Sequence, residues 1–103
     1  MPRPRKKLHD ILCGITGDTK IVYYQPPMNV KMTFPCIEYH DAPWDTKFAG
    51  DSPYAITRHY QVTVIDPRPE NPWIFELATL PMCTQERHYV SDGLNHDVFD
   101  LYY

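Results

Sequence analysis

A chain of 103 residues with 10 Lys+Arg against 13 Asp+Glu, formal charge -3, suits one domain burying roughly two-thirds of its unfolded surface, with no room for a second. Five of the ten cations are Arg3, Arg5, Lys6, Lys7 and Lys20, so the rest of the chain is acidic; this argues against a module that grips DNA by its phosphates, which needs a basic face. Three widely spaced cysteines without a C-x-x-C pair suggest neither a disulfide framework nor a zinc site, and cytosolic synthesis is the expectation. The amino terminus lacks an apolar segment after its basic residues and no apolar run approaches membrane-spanning length, so the expectation is a chain neither exported by a standard signal nor spanning a membrane.

From Lys6 to Ile15 the spacing of Leu8, Ile11, Leu12 and Ile15 predicts an amphipathic helix, with Pro4 at its first turn and Gly17-Asp18 at its end. Gly14 weakens it by roughly 1 kcal/mol relative to Ala, so fraying is expected there. The basic cluster Arg3 to Lys7 opposes the helix dipole and reads as a solvated face, the sharper alternative being a dock for an acidic partner or DNA. Ile21, Val22, Tyr23 and Tyr24 then predict a strand over Lys20 to Gln25, covered on both faces or lying at a subunit contact, which Pro26-Pro27 stops. Met28 to Thr33 has no clear period and reads as a loop closed by Phe34-Pro35.

Alternation resumes over Cys36 to Asp41 as a second strand, kinked at Ala42-Pro43 because proline donates nothing to a ladder. Trp44 to Phe48 extends it to a turn at Gly50-Asp51-Ser52-Pro53. The longest alternating stretch follows, Tyr54 to Asp66. Tyr54, Ile56, Arg58, Tyr60, Val62 and Val64 share one face, while Thr57, His59, Gln61 and Thr63 share the other. At roughly 3.3 Å per residue this strand runs on the order of 40 Å, whereas a body of this size, with a radius of gyration of about 13 Å, is nearer 35 Å across. The hairpin is therefore expected to overhang, carrying Trp44, Phe48 and Tyr54 beyond the reach of its own core, and exposed aromatic clusters of this kind mark protein interfaces. A hairpin curled back onto its own domain is the alternative.

Asp66-Pro67-Arg68-Pro69-Glu70 reads as a rigid turn, Asn71 as an N-cap, and Trp73, Ile74, Leu77, Ala78 and Leu80 as the buried stripe of a short helix ended by Pro81. Met82 to Thr84 is a connector, Arg87 to Val90 a short strand, Ser91-Asp92-Gly93 a tight turn, and Asn95 to Tyr103 the closing strand. The order α-β-β-β-α-β-β predicts an α+β fold: a small, mostly antiparallel sheet with a long protruding β-hairpin and two helices packed on one face, all in one domain over residues 1–103.

His40-Asp41 and His96-Asp97 are the pairs that suggest a metal-dependent nuclease, with His59, His88, Asp92 and Asp100 as further candidates. Neighbours on a strand point to opposite faces, so each pair cannot ligate one ion without a bulge, and Asn95-His96-Asp97 reads instead as hydrogen bonding at a turn and strand entry. Four glycines form no phosphate-binding loop and no Ser, Cys or Lys sits in a nucleophile motif, so no enzyme activity, catalytic residue, cofactor or metal ligand is expected. The three cysteines read as small buried hydrophobes.

The phrases YYQPP at Tyr23 to Pro27, FPCIEY at Phe34 to Tyr39, TKFAGDSPY at Thr46 to Tyr54, RHYQVTVIDPRP at Arg58 to Pro69, LPMC at Leu80 to Cys83 and LNHDVFDLYY at Leu94 to Tyr103, taken in this order, resemble the tail terminator or tail-to-head joining proteins of long-tailed bacteriophages. The resemblance covers nearly the whole chain. It implies a virion structural protein of the tail or neck, assembled in the host cytoplasm, that caps the finished tail tube as a hexameric ring and ends its polymerisation. The implied partners are further copies of itself, the tail tube protein and the head connector or stopper protein, with genome DNA passing through the lumen unbound. An acidic balance suits such a lumen, since a basic wall would hold the phosphates. Trp44, Phe48, Tyr54, Arg58 and Tyr60 are the residues expected at the subunit interface. The alternatives are another neck component, a head-completion or stopper protein, and the nuclease.

Overall fold

The computed structural model describes residues 4–27 and 31–103, Tyr54 by its backbone alone. Arg3 of the basic cluster and Met28 to Val30 of the expected loop lie outside the described residues.

The first helix, α1, is Arg5–Thr16. Leu8 and Leu12 are buried and Ile15 packs against the core, but Ile11 on the same stripe is 37 % exposed. The helix runs on past Gly14 to Thr16 and closes on Gly17, whose left-handed φ of 74° lets its N–H reach Cys13 O at 2.8 Å. Arg5 is not part of a solvated face. Its guanidinium donates to Tyr39 Oη at 2.9 Å and lies 4.1 Å from the Tyr24 ring centre, ties that hold a cation at the wrong end of the helix dipole. Lys6 and Lys7 are exposed, as the solvated reading expects.

A 3-10 turn at Thr19–Ile21, capped by the Asp18 carboxylate, leads into β1 (Val22–Tyr24), shorter than the strand expected there. β2 spans Cys36–Ala49 and β3 spans Ser52–Asp66. α2 is Trp73–Ala78, β4 is Cys83–Ser91 and β5 is Leu94–Tyr102. The five strands form one sheet in the order β1-β2-β3-β5-β4, parallel only between β1 and β2. This is the α+β architecture that the order of elements predicts.

Register decides which side chains meet. Ile37 lies opposite Val64, Tyr39 opposite Val62, Val62 opposite Phe99 and Tyr60 opposite Leu101. These residues form the face that both helices cover, and with Leu8, Leu12, Val22, Leu77 and Cys83 they make the core. Each large side chain buried here contributes about 1.5–3 kcal/mol of transfer free energy. The other face carries the His59, Gln61 and Thr63 series, as their alternation with the core residues requires. There His40 joins Glu38 and Gln61, both at 3.2 Å, and His59 Nε2 lies 2.8 Å from Asp100 Oδ1.

Asn71 caps α2 as expected, accepting from Trp73 N at 2.8 Å while its amide donates to the buried Asp66 carboxylate at 2.6 Å. Helix α2 ends two residues earlier than the stripe suggests: Thr79, not Pro81, closes it, and Ala78 is exposed. Two further differences concern strands. β2 continues through Ala42-Pro43, which a shift of register between Ala42 and Asp45 absorbs without ending the ladder. β4 begins at Cys83, four residues before the sequence predicts, because all its residues from Thr84 onward are exposed and carry no burial pattern.

Candidate functional site

The long hairpin leaves the sheet. β3 pairs with β5 only from His59 to Asp66, and the Tyr103 N–H to Arg58 O adds the last bond on that side. On its other side, β1 covers only Ile37 to Tyr39 of β2. From Asp45 outward β2 therefore has β3 as its one partner strand, and Ser52 to Thr57 extend roughly 20 Å past the sheet at about 3.3 Å per residue. The molecule measures 49 × 25 × 22 Å with a radius of gyration of 14.7 Å, above the roughly 13 Å usual for a compact body of this length. The turn at the tip uses Gly50 at φ 66°, a left-handed conformation that glycine adopts more readily than residues with a side chain.

A polar cluster pins the root of this arm. Asp41 on β2 accepts from Arg58 Nη2 at 3.1 Å and from Tyr24 Oη at 2.5 Å, so β1, β2 and β3 share one carboxylate. That bond raises the pKa of the Tyr24 phenol, with burial adding to it. Arg58 lies over both Trp44 and Tyr60, 5.5 and 5.1 Å from the ring centres, contacts worth about 0.5–1 kcal/mol each at partly exposed sites. Tyr60 packs edge-on against Tyr39, whose hydroxyl also meets His9 Nδ1 at 2.6 Å, and burial raises the pKa of both phenols. Among the described residues, Arg58 Nε and Tyr60 Oη are buried without a hydrogen-bond partner.

The five residues expected at a subunit interface thus separate. Trp44 and Phe48 are 51 % and 61 % exposed on the arm, with large apolar surface to offer a partner. The side chain of Tyr54 lies outside the described residues. Tyr60 needs correction as a contact residue: at 0 % exposure it fills its own chain's core. Arg58, held by Asp41 and two rings, likewise acts from beneath, setting the pose of the arm and of Trp44.

No protein family, characterised protein or solved structure matches this chain.

Sequence reasoning missed a cleft of about 450 Å³ below the arm, lined by both apolar and polar groups. Leu8 and Ile11 of α1 form one wall and Leu80, Pro81 and Met82 another, with Ile56 and Thr57 at the root of the arm above them and Leu101 to Tyr103 completing the lining. Ile11 and Met82, 37 % and 67 % exposed, leave its rim greasy. Nothing in the sequence sets Ile11 apart from the other residues of its helix stripe.

The residues of the nuclease reading do not converge. His40 and Asp41 are neighbours on β2 with opposite facing, and Asp41 is engaged by Arg58 and Tyr24. His96 stacks on Tyr89 with ring centres 4.6 Å apart, while Asp97 accepts from Gln85 and lies 2.7 Å from His88 on the opposite face. Register sets His96 opposite Ile65, which pairs with Cys36, four residues along β2 from His40, so the two histidines are on the order of 15 Å apart. Asn95 serves the turn instead, donating to Asp66 O at 3.2 Å. Among the described residues no three His, Cys, Asp or Glu side chains are grouped to hold a metal ion, and no helix is long and apolar enough to cross a membrane.

Proposed function

We propose that this chain is a virion structural protein that caps a phage tail tube as an oligomeric ring, ending tube polymerisation and joining tail to head. The observation that carries the reading is the arm: a two-stranded ribbon, standing off its own domain, leaves more than half of Phe48 and about half of Trp44 exposed to solvent. Exposed aromatic surface of this kind is favourable only when a partner buries it. An arm that docks on a different part of the next copy makes a heterologous contact, and heterologous contacts close into rings when the rotation allows. The resemblance of the sequence phrases to tail terminators supplies the biological setting, and the acidic balance is compatible with a lumen that DNA traverses without binding.

Electron microscopy of the purified protein, alone and with tail tubes, tests the proposal. Rings with a central hole wide enough for duplex DNA, found at tube ends, are the expected result. A protein that binds filled heads and ignores tubes belongs instead to another part of the neck. Replacing residues 44–54 by a short turn is expected to leave a folded monomer by size-exclusion chromatography with light scattering. An unchanged oligomer from that variant would remove the arm from the assembly.

A further inference from the structure

We infer that the free edge of β4 pairs with β4 of a second copy of this chain, antiparallel and two-fold symmetric about Tyr89. The inference goes beyond the assembly reading and does not depend on the arm.

Backbone bonds decide which groups of β4 are free. At the end of the chain the Tyr103 N–H donates to Arg58 O at 2.9 Å and the Tyr102 N–H to Met82 O at 3.0 Å, so odd residues of β5 face β3 and even residues face β4. The even residues Leu94, His96 and Val98 lie opposite Ser91, Tyr89 and Arg87, whose N–H and C=O groups are thereby taken up inside the sheet. His88 and Val90, between them, turn theirs to the open side. Every residue from Thr84 to Ser91 is exposed, and Tyr89 and Val90 leave 41 % and 62 % of their surface to solvent.

The other open edges are guarded. The outer part of β2 holds Pro43, a register shift before Asp45, and Lys47, while the outer part of β3 holds Pro53 beside a second shift. β1 is only Val22–Tyr24 and is soon followed by Pro26-Pro27. Proline, lysine, bulges and shortness are the usual defences of an edge against strand addition. β4 has one of them, the shift between Gln85 and Arg87, and from Arg87 to Ser91 its ladder runs unbroken with no proline or lysine.

That stretch complements itself. With Tyr89 on the axis, His88 of each copy faces Val90 of the other, and the two outward residues of each strand complete four backbone hydrogen bonds. Tyr89 meets its own counterpart in a non-hydrogen-bonded pair, where Cα atoms approach to about 4.5 Å and aromatic pairs are favourable. Arg87 comes opposite the uncharged Ser91. Glu86 and Asp92 are the like charges that come nearest, at the ends of the ladder, and Glu86 keeps Arg87 Nη1 at 3.8 Å. Centring on His88 instead would set two imidazoles opposite each other and carry Val90 onto the bulge. Centring on Val90 would carry His88 past the strand to the turn at Asp92. Four hydrogen bonds and one aromatic pair make a weak contact, so it forms in concentrated solution and is absent from a dilute column.

The test isolates β4 in the full chain by Trp44→Ser/Phe48→Ser, which removes two exposed rings of the arm. On concentration this variant is expected to pass from monomer to dimer by sedimentation. Its His88 and Val90 amides should then exchange roughly tenfold more slowly, while those of Arg87 and Tyr89, already bonded to β5, change little. In the same background Tyr89→Lys alone and Tyr89→Glu alone should each stay monomeric, because like charges meet across the axis, and the two mixed should form a heterodimer. Tyr89 is exposed, so both should keep the circular dichroism spectrum of the parent. A dimer whose His88 and Val90 amides stay fast, or one indifferent to both charges, overturns the inference. Rings from the parent beside a variant that is monomeric at every concentration overturn the pairing and leave the assembly reading standing. A dimer of the variant with this amide pattern, and no rings from the parent, upholds the pairing and removes the ring.

Discussion

Tyr60 packs its ring at the centre of the core, yet its hydroxyl is buried with no partner among the described residues, beside the equally unpartnered Nε of Arg58. A buried polar group without a hydrogen bond costs about 1–3 kcal/mol, so removing the oxygen removes a penalty while the packing stays. Tyr60→Phe is therefore expected to be neutral or stabilising by up to about 1 kcal/mol in urea unfolding. Tyr39→Phe should cost about 1 kcal/mol or more, since Arg5 and His9 both meet its hydroxyl. Equal losses from the two variants would show that Tyr60 has a partner too. The thiols allow a second residue-scale measurement. Burial pushes the Cys36 thiol up to about 12 and the Cys83 thiol up to about 11. The thiolate is the reactive form, so with iodoacetamide at about pH 8 both should stay unmodified in the folded protein and react in urea. Cys13 is only part-buried, a departure from the buried role that the sequence suggests for all three. Alkylation of native Cys36 would mean that the sheet opens at β2.

Among the elements, the clearest contrast lies within β3 itself. Its inner half, His59 to Asp66, has strands on both sides and a helix layer over one face, whereas its outer half has only β2. Stability should be as uneven as the packing, because backbone bonds in a solvated two-stranded ribbon open without disturbing the core. In the monomer, amides of Ala55 to Thr57 are expected to exchange orders of magnitude faster than those of Val62, Val64 and Phe99. On self-association the arm amides should slow while the core amides change little. Arm amides protected as strongly as the core in a dilute monomer would show that the ribbon is held by its own chain. The same contrast explains which elements are legible in the sequence. Tyr54 to Asp66 stands out because one of its faces is buried along the inner half, and the hydrophobic alternation continues outward past the point where burial stops. The overhang follows from length alone. β4 is half invisible because an exposed edge strand has no need to alternate. The pinning of the arm root could not be foreseen, since Tyr24, Asp41 and Arg58 meet only through the register of three strands. The cleft lies deeper still: it joins residues from α1, β3, the α2–β4 connector and β5, and no local pattern marks a place where four elements fail to close.

For the whole molecule, the buried ionisable groups make one collective statement about pH. Burial raises Cys36 and Cys83 from 9.0, and Tyr39 and Tyr60 from 10.0; Tyr24 rises chiefly through its bond to Asp41. All five are acids that are neutral when protonated, and folding favours the protonated form of each. In alkali the native state therefore holds more protons than the unfolded chain, and stability falls as pH rises. Their contribution is fully present below about pH 9, where both states keep the protons, and is lost as pH climbs through the native thiol values of about 11 and 12. Four of the five belong to the sheet's own strands β1, β2 and β3 and the fifth opens β4, so their ionisation undermines one cooperative unit. The urea midpoint is expected to be flat from about pH 7 to 9 and to decline steeply above about pH 10, with far-UV and aromatic signals lost together. A midpoint that holds steady past about pH 11 would mean that the phenols and thiols ionise as easily in the folded protein as in water, which is incompatible with a core closed over Tyr39, Tyr60 and Cys36.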